Sequence, residues 1–137
     1  MNLLDTDTLS LLMKGRPKVV ERVARADHIA IPIVSRIEIL QGRFASVLKA
    51  ADGNQLLLAQ HWLLENERYL NGVEIVHLDS AAAAEFDRLR ENKKLRKIGR
   101  GDLLIACIAL AHRATLVSRN TRDFQLVPGL RLENWAD

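Results

Sequence analysis

The chain has 137 residues, of which 48% are hydrophobic and 27% charged, with a single cysteine. This length supports one domain, residues 1–137, with a substantial core, and a lone cysteine excludes an internal disulfide or a thiolate zinc cluster. The formal net charge of +3 and the pI near 9.4 lean toward a polyanionic partner. The most apolar run, 103–111, has nine residues, well under the ~18 needed to span a bilayer. No basic region followed by a long apolar stretch opens the chain, so the expectation is a cytoplasmic protein without a membrane partner.

Residues 1–4 form a strand candidate ending at Asp5, followed by a helix over 8–13 that Gly15-Arg16-Pro17 breaks. A second amphipathic helix over 18–26 has Val19, Val20 and Val23 on one face, and 28–31 is a short strand before Pro32. From Ser35 a longer helix carries Ile37, Leu40, Phe44, Val47 and Leu48 at helical spacing, up to a break at Gly53-Asn54. The next helix, 55–69, is leucine-rich and closes at Asn71-Gly72. Residues 73–78 suggest a strand, and Asp79 is an N-cap for a helix to about residue 95. Gly99 and Gly101 bracket a turn, and Asp102 opens the most apolar helix, around Cys107. A strand over 115–118, a turn at Pro128-Gly129 and a last short strand over 130–132 complete the chain. Strands alternating with helices imply an α/β fold with a parallel sheet covered on both faces. In such folds functional groups collect beyond the carboxyl ends of the strands.

Acids stand at the edges of four of these segments: Asp5, Glu38, Asp102, and Asp123 three residues after Asn120. Carboxylates drawn from separate edges into one crevice repel one another, and a cation among them makes the arrangement tolerable. Each also has a structural reading. Asp5 and Asp102 suit helix starts, Ser35 and Glu38 have capping-box spacing, and Asn120 with Asp123 have the same spacing. His28, His61, His77 and His112 form no close pair in the sequence, so histidine acid–base cleavage fits poorly. Lys93, Lys94, Arg96, Lys97 and Arg100 fall within eight residues before Asp102. They read equally as a solvated helix C-terminus or as phosphate contacts.

Taken in order, Leu3-Leu4-Asp5-Thr6-Asp7, Ser35-Arg36-Ile37-Glu38, Asp102-Leu103-Leu104-Ile105-Ala106 and Ser118-Arg119-Asn120-Thr121-Arg122-Asp123-Phe124 resemble the motifs of PIN-domain ribonucleases, and within them the VapC-type toxins. The resemblance runs from end to end. It implies an α/β/α sandwich with a short parallel sheet flanked by helices, and a Mg²⁺- or Mn²⁺-dependent endoribonuclease blocked by a cognate antitoxin. By motif, Asp5, Glu38 and Asp102 take the places of the family acids, with Asn120 or Asp123 at the fourth position. Asp7 departs from the Asn that many relatives carry. The chemistry is consistent with this, because Mg²⁺ is held by few carboxylates and keeps waters that can be activated toward phosphorus. A housekeeping PIN nuclease and a catalytically silent PIN-like binding module are the alternatives. Leucine-rich helices over 35–48 and 55–69 predict apolar surface for an antitoxin and for a homodimer.

Overall fold

The computed structural model describes residues 1–137, and at its centre five strands pair in parallel. β1 (Asn2–Leu4) is central, between β2 (Ile29–Pro32) and β4 (Thr115–Val117). β3 (Ile75–Val76) and β5 (Arg131–Glu133) form the edges, in the order β3-β2-β1-β4-β5. Leu3 is level with Ala30 and Leu116, and Leu4 with Val117. Side chains alternate across a strand, so this register sorts them into two cores. Leu3, Ala30 and Leu116 pack with α5 (Ser80–Leu89) and α6 (Arg100–Ala111). Leu4, Ile31 and Val117 pack with Leu9 of α1 (Thr6–Met13) and Leu70 of α4 (Gly53–Asn71). The expected α/β/α sandwich is the fold observed.

Helix boundaries differ from the sequence expectation where caps act. α1 begins at Thr6, two residues early, because Asp5 Oδ1 accepts from Thr8 N at 2.9 Å. α2 (Pro17–Arg25) starts on its proline, where a missing N–H costs nothing, after a turn with Gly15 at φ +77°. Val19 is fully buried but its neighbour Val20 is exposed, so the three valines do not share one face. α3 (Ile33–Leu48) begins directly after Pro32, which places Ser35 inside its first turn. α4 gains two residues because Asp52 accepts from Gln55 N at 2.8 Å.

The expected strand over 73–78 shortens to Ile75–Val76, because pairing ends at Pro32 opposite Val76. Asp79 caps α5 as expected, but α5 ends at Leu89 rather than near residue 95. Residues Lys93–Leu95 form a separate 3₁₀ turn, with Asn92 Oδ1 accepting from Lys94 N. Leu95 and Ile98 are buried and pin this segment, leaving its lysines and arginines in solvent. α7 (Thr121–Phe124) is a single turn that anchors Phe124 in the core. Cys107 is fully buried on α6, and burial pushes its thiol up to about 11, which makes it an inert packing residue. No helix is long and apolar enough to cross a membrane.

Candidate acid-lined active site

The chain leaves β1 and β4 side by side, with Asp5 N donating to Val117 O at 3.1 Å. That junction places Asp5 and Ser118 together at the carboxyl edge of the sheet. Asp5 is only 5% exposed. One carboxylate oxygen caps α1 through Thr8 N, and the Ser118 hydroxyl, itself fully buried, also hydrogen-bonds this carboxylate. Thr8 in turn donates its hydroxyl to Val117 O at 3.2 Å. The carboxylate that caps α1 therefore also lies beside the other candidate acids. Burial pushes the Asp5 carboxyl above its usual range, with the Asp7 charge adding to it.

Glu38 lies on α3, one turn after Ser35. The Ser35–Glu38 capping box is not formed, because Pro32 holds the N-cap position and Ser35 is buried within the helix. Instead Thr6 Oγ1 donates to Glu38 Oε1 at 2.6 Å and lies 3.1 Å from Ser35 Oγ. On its other side Glu38 meets the first turn of α6. A Cβ at Gly101 would stand 3.1 Å from Glu38 Oε2, so glycine is what allows this approach. Asp102 sits in that same first turn, after the N-cap Gly99. It is thus not itself an N-cap, although the helix N-terminus favours both carboxylates.

Asp102 shows that the acids share a field. Its carboxyl is raised first by burial and then by the negative charges of Asp5, Glu38 and Asp123. The opposing influence is Asn120, whose Nδ2 donates to Asp102 Oδ2 and to Asp123 Oδ2, both at 3.2 Å. Asn120 occupies the N-cap position of α7 but makes no side-chain cap bond. Its amide instead donates to Asp102 and Asp123. Asp5, Glu38, Asp102, Asp123 and Asn120 are all brought together. Asp7 stays apart, exposed and 4.0 Å from Arg119.

The motif reading missed Thr6, Ser118 and Gly101 as supports. Each adjoins a candidate acid or, as Ser118 does, ends an apolar strand with a buried hydroxyl. No three His, Cys, Asp or Glu side chains close around a point where one ion would be held. The donors of Thr6, Ser118 and Asn120 rest against the carboxylates and offset part of their repulsion. The histidines lie elsewhere, with His28 paired to Glu74 and His112 3.5 Å from Asp79. The basic stretch is not a helix C-terminus. It is an exposed segment leading into the first turn of α6, where Arg100 lies over the Phe86 ring at 5.0 Å.

Fold and site together define an α/β/α protein with a carboxylate-lined crevice at the carboxyl edge of a parallel sheet. The family model described as PIN domain matches residues 3–130. The chain belongs to the PIN-domain family. It is 31% identical to Ribonuclease VapC1 of Haemophilus influenzae, over 98% of this chain and 97% of that protein. It is 34% identical to Ribonuclease VapC2 of Rickettsia felis, over 85% and 81% respectively. The solved structure of VapBC-1 from nontypeable Haemophilus influenzae superposes with a TM-score of 0.78 at 25% identity, covering 99% of this chain and 98% of that one.

The raised Asp5 carboxyl has a consequence for stability. A carboxyl with a raised value binds more protons folded than unfolded, so stability falls as pH climbs from the ordinary 3.8 through the folded value, and the loss persists at neutral pH. Asn caps a helix as well as Asp does. Asp5→Asn is therefore expected to melt higher than the parent at pH 7 without added metal. The gap should close as pH is lowered below 3.8, which thermal denaturation across pH will read.

Proposed function

We propose that the chain is a Mg²⁺- or Mn²⁺-dependent endoribonuclease, the toxin of a toxin–antitoxin pair. The observation that carries this reading is the Asp102 carboxyl, which three acids from other elements act on together. Such a cluster costs stability unless a cation joins it. The donor set is entirely carboxylate oxygen, the chemistry a hard divalent ion takes. In this reading Asp5, Glu38, Asp102 and Asp123 hold the ion, and Asn120 is a positioning residue. When bound, the ion supplies an acidified water and neutralises charge developing on the phosphate.

The chain's own residues do the rest. Asp5 is locked by its cap and by Ser118, so its free edge keeps one direction. Thr6 fixes Glu38, and Gly101 leaves room for it beside α6. Asn120 holds Asp102 and Asp123 together through one amide and favours the charged form of Asp102. RNA is the substrate class supported by the relatives' name, ribonuclease, and by the exposed lysines and arginines from residue 93 that lead into α6, the helix that carries Asp102. An antitoxin fits the surface of α3 and α4, where Phe44, Leu48, Leu57 and Leu58 are each more than half exposed. The paired name of the solved relative, VapBC-1, supports such a partner. The same surface suits a homodimer, and the protein is proposed to work in the cytoplasm.

Asp5→Asn, Glu38→Gln and Asp102→Asn are each expected to abolish cleavage of total RNA while the protein stays folded by circular dichroism. Chelation should abolish the parent's cleavage, and Mn²⁺ or Mg²⁺ should restore it. Full activity in any two of these variants overturns the assignment. Asn120→Ala should slow cleavage by about 10- to 100-fold. It also removes the bond that lowers the Asp102 carboxyl, so the acidic limb of the pH–rate profile should move to higher pH. Reversing Lys94 and Lys97 to Glu should weaken RNA binding and reduce the salt slope of log K by about 1.4, two contacts at roughly 0.7 each for a single strand. Titrations at several salt concentrations measure this, and metal affinity should hold.

A further inference from the structure

A cavity of about 570 Å³ opens from Glu38 and is lined by residues of α1, α3 and α4. Its size lies within the roughly 300–1,000 Å³ of small-molecule sites. Only Met13, Ile39 and Trp62 of its lining are hydrophobic. Lys14 and Arg43 bring two cations, and Glu38 at the crevice end is the sole acid. Neither cation enters any of the chain's ion pairs. Arg43 is nonetheless held in place, because its Nε donates to the buried Asn66 Oδ1 at 2.6 Å. Its guanidinium stands 5.9 Å from the centre of the Trp62 ring. Trp62 is 46% exposed, whereas the other tryptophan, Trp135, is 5% exposed.

We propose that this groove is a subsite for one unpaired nucleotide of the RNA, next to the phosphate being cleaved. The base stacks on Trp62, and Lys14 and Arg43 take the backbone phosphate. The inference rests on the ribonuclease reading and specifies the substrate that reading requires. A large flat ring left in solvent beside a fixed guanidinium is what base stacking uses. Two unpaired cations match a phosphate, and the groove is continuous with the candidate acids. A docked amphipathic helix would instead want a row of apolar anchors, which so polar a lining lacks. A duplex keeps its bases stacked inside and cannot present one to Trp62, so the subsite selects single-stranded or looped RNA.

The experiment compares a short mixed-sequence single-stranded RNA with its own duplex, binding each to protein carrying Asp102→Asn to prevent cleavage. Trp62→Ala should weaken single-strand binding by about 5- to 150-fold, the range for loss of one base stack, and leave duplex binding unchanged. Trp62→Phe should restore most of the loss. Gly42→Leu is a second, independent variant. A Cβ at Gly42, which lines the groove, meets nothing within 4 Å, so a larger side chain there should occupy the groove and weaken single-strand binding while Trp62 stays intact. Single-stranded RNA should also shield the exposed tryptophan from iodide quenching. If Trp62→Ala and Gly42→Leu bind single strands as the parent does, while the parent still cleaves total RNA, the subsite is overturned and the ribonuclease reading survives. If the same variants lose only self-association or capture of an antitoxin peptide, the groove is a protein surface and the proposal is equally overturned. If the parent neither binds nor cleaves RNA, both readings fall.

Discussion

Like-charge repulsion at one edge of the sheet governs the arrangement of everything around it. Asp5, Glu38, Asp102 and Asp123 come from β1's end, α3, α6 and α7, and each sits within the field of at least one other. Burial makes the repulsion worse, because it removes the water that would screen it. The surrounding polar residues can be understood as responses to this. Ser118 and the cap N–H of Thr8 serve Asp5, Thr6 serves Glu38, and the Asn120 amide stands between Asp102 and Asp123. The N-terminus of α6 adds a favourable partial charge beside two of the acids. Two of these bonds join separate elements, Thr6 to Glu38 and Asn120 to Asp102, so the crevice is organised by the packing of helices at the sheet edge.

The acids can be held this close because the sheet beneath them is rigid. The strands are only two to four residues long, yet their register divides Leu3 from Leu4 and Leu116 from Val117 into two cores. A one-residue slip of β1 against β4 would exchange these faces. It would also carry Asp5 away from Val117 O and Ser118. The stability of the two cores and the geometry of the crevice thus depend on the same pairing. Asp5 shows this most directly, since one oxygen of its carboxylate secures α1 while the same group lies among the candidate acids.

The outer surface reflects a different constraint. α3 and α4 pack on each other and leave apolar side chains in water on their far sides, with Leu48 at 70% and Leu57 at 66% exposure. No core requirement explains those residues, and in the proposed reading a protein partner covers them. The polar groove between the same helices opens at Glu38. In the proposed reading a partner seated on α3 and α4 would close the approach that RNA uses, so inhibition and substrate access would compete for neighbouring surface.

The fold class, the order of strands and helices, the family, and the identity of the five candidate residues were legible in the sequence. The fold class and element order depend on local pattern, hydrophobic period and turn residues, whereas the family and the candidate residues came from the resemblance of the four acid-bearing motifs taken in order. Boundaries were less legible, because a cap or a pairing partner decides them. Pro32 moved the start of α3 and removed the Ser35–Glu38 box, and the lack of a partner beyond Pro32 shortened β3. The basic stretch was visible as charge, but its separation from α5 came from Asn92 capping a new turn and from the burial of Leu95 and Ile98. Above all, only the tertiary structure decided what Asn120 does. The sequence left it either a helix cap or a site residue, whereas the structure shows its amide reaching Asp102 on another helix, 18 residues away in the chain. Capping is a contact within a few residues and can be read from spacing. A hydrogen bond between elements depends on how the sheet brings them together, and no local pattern encodes that.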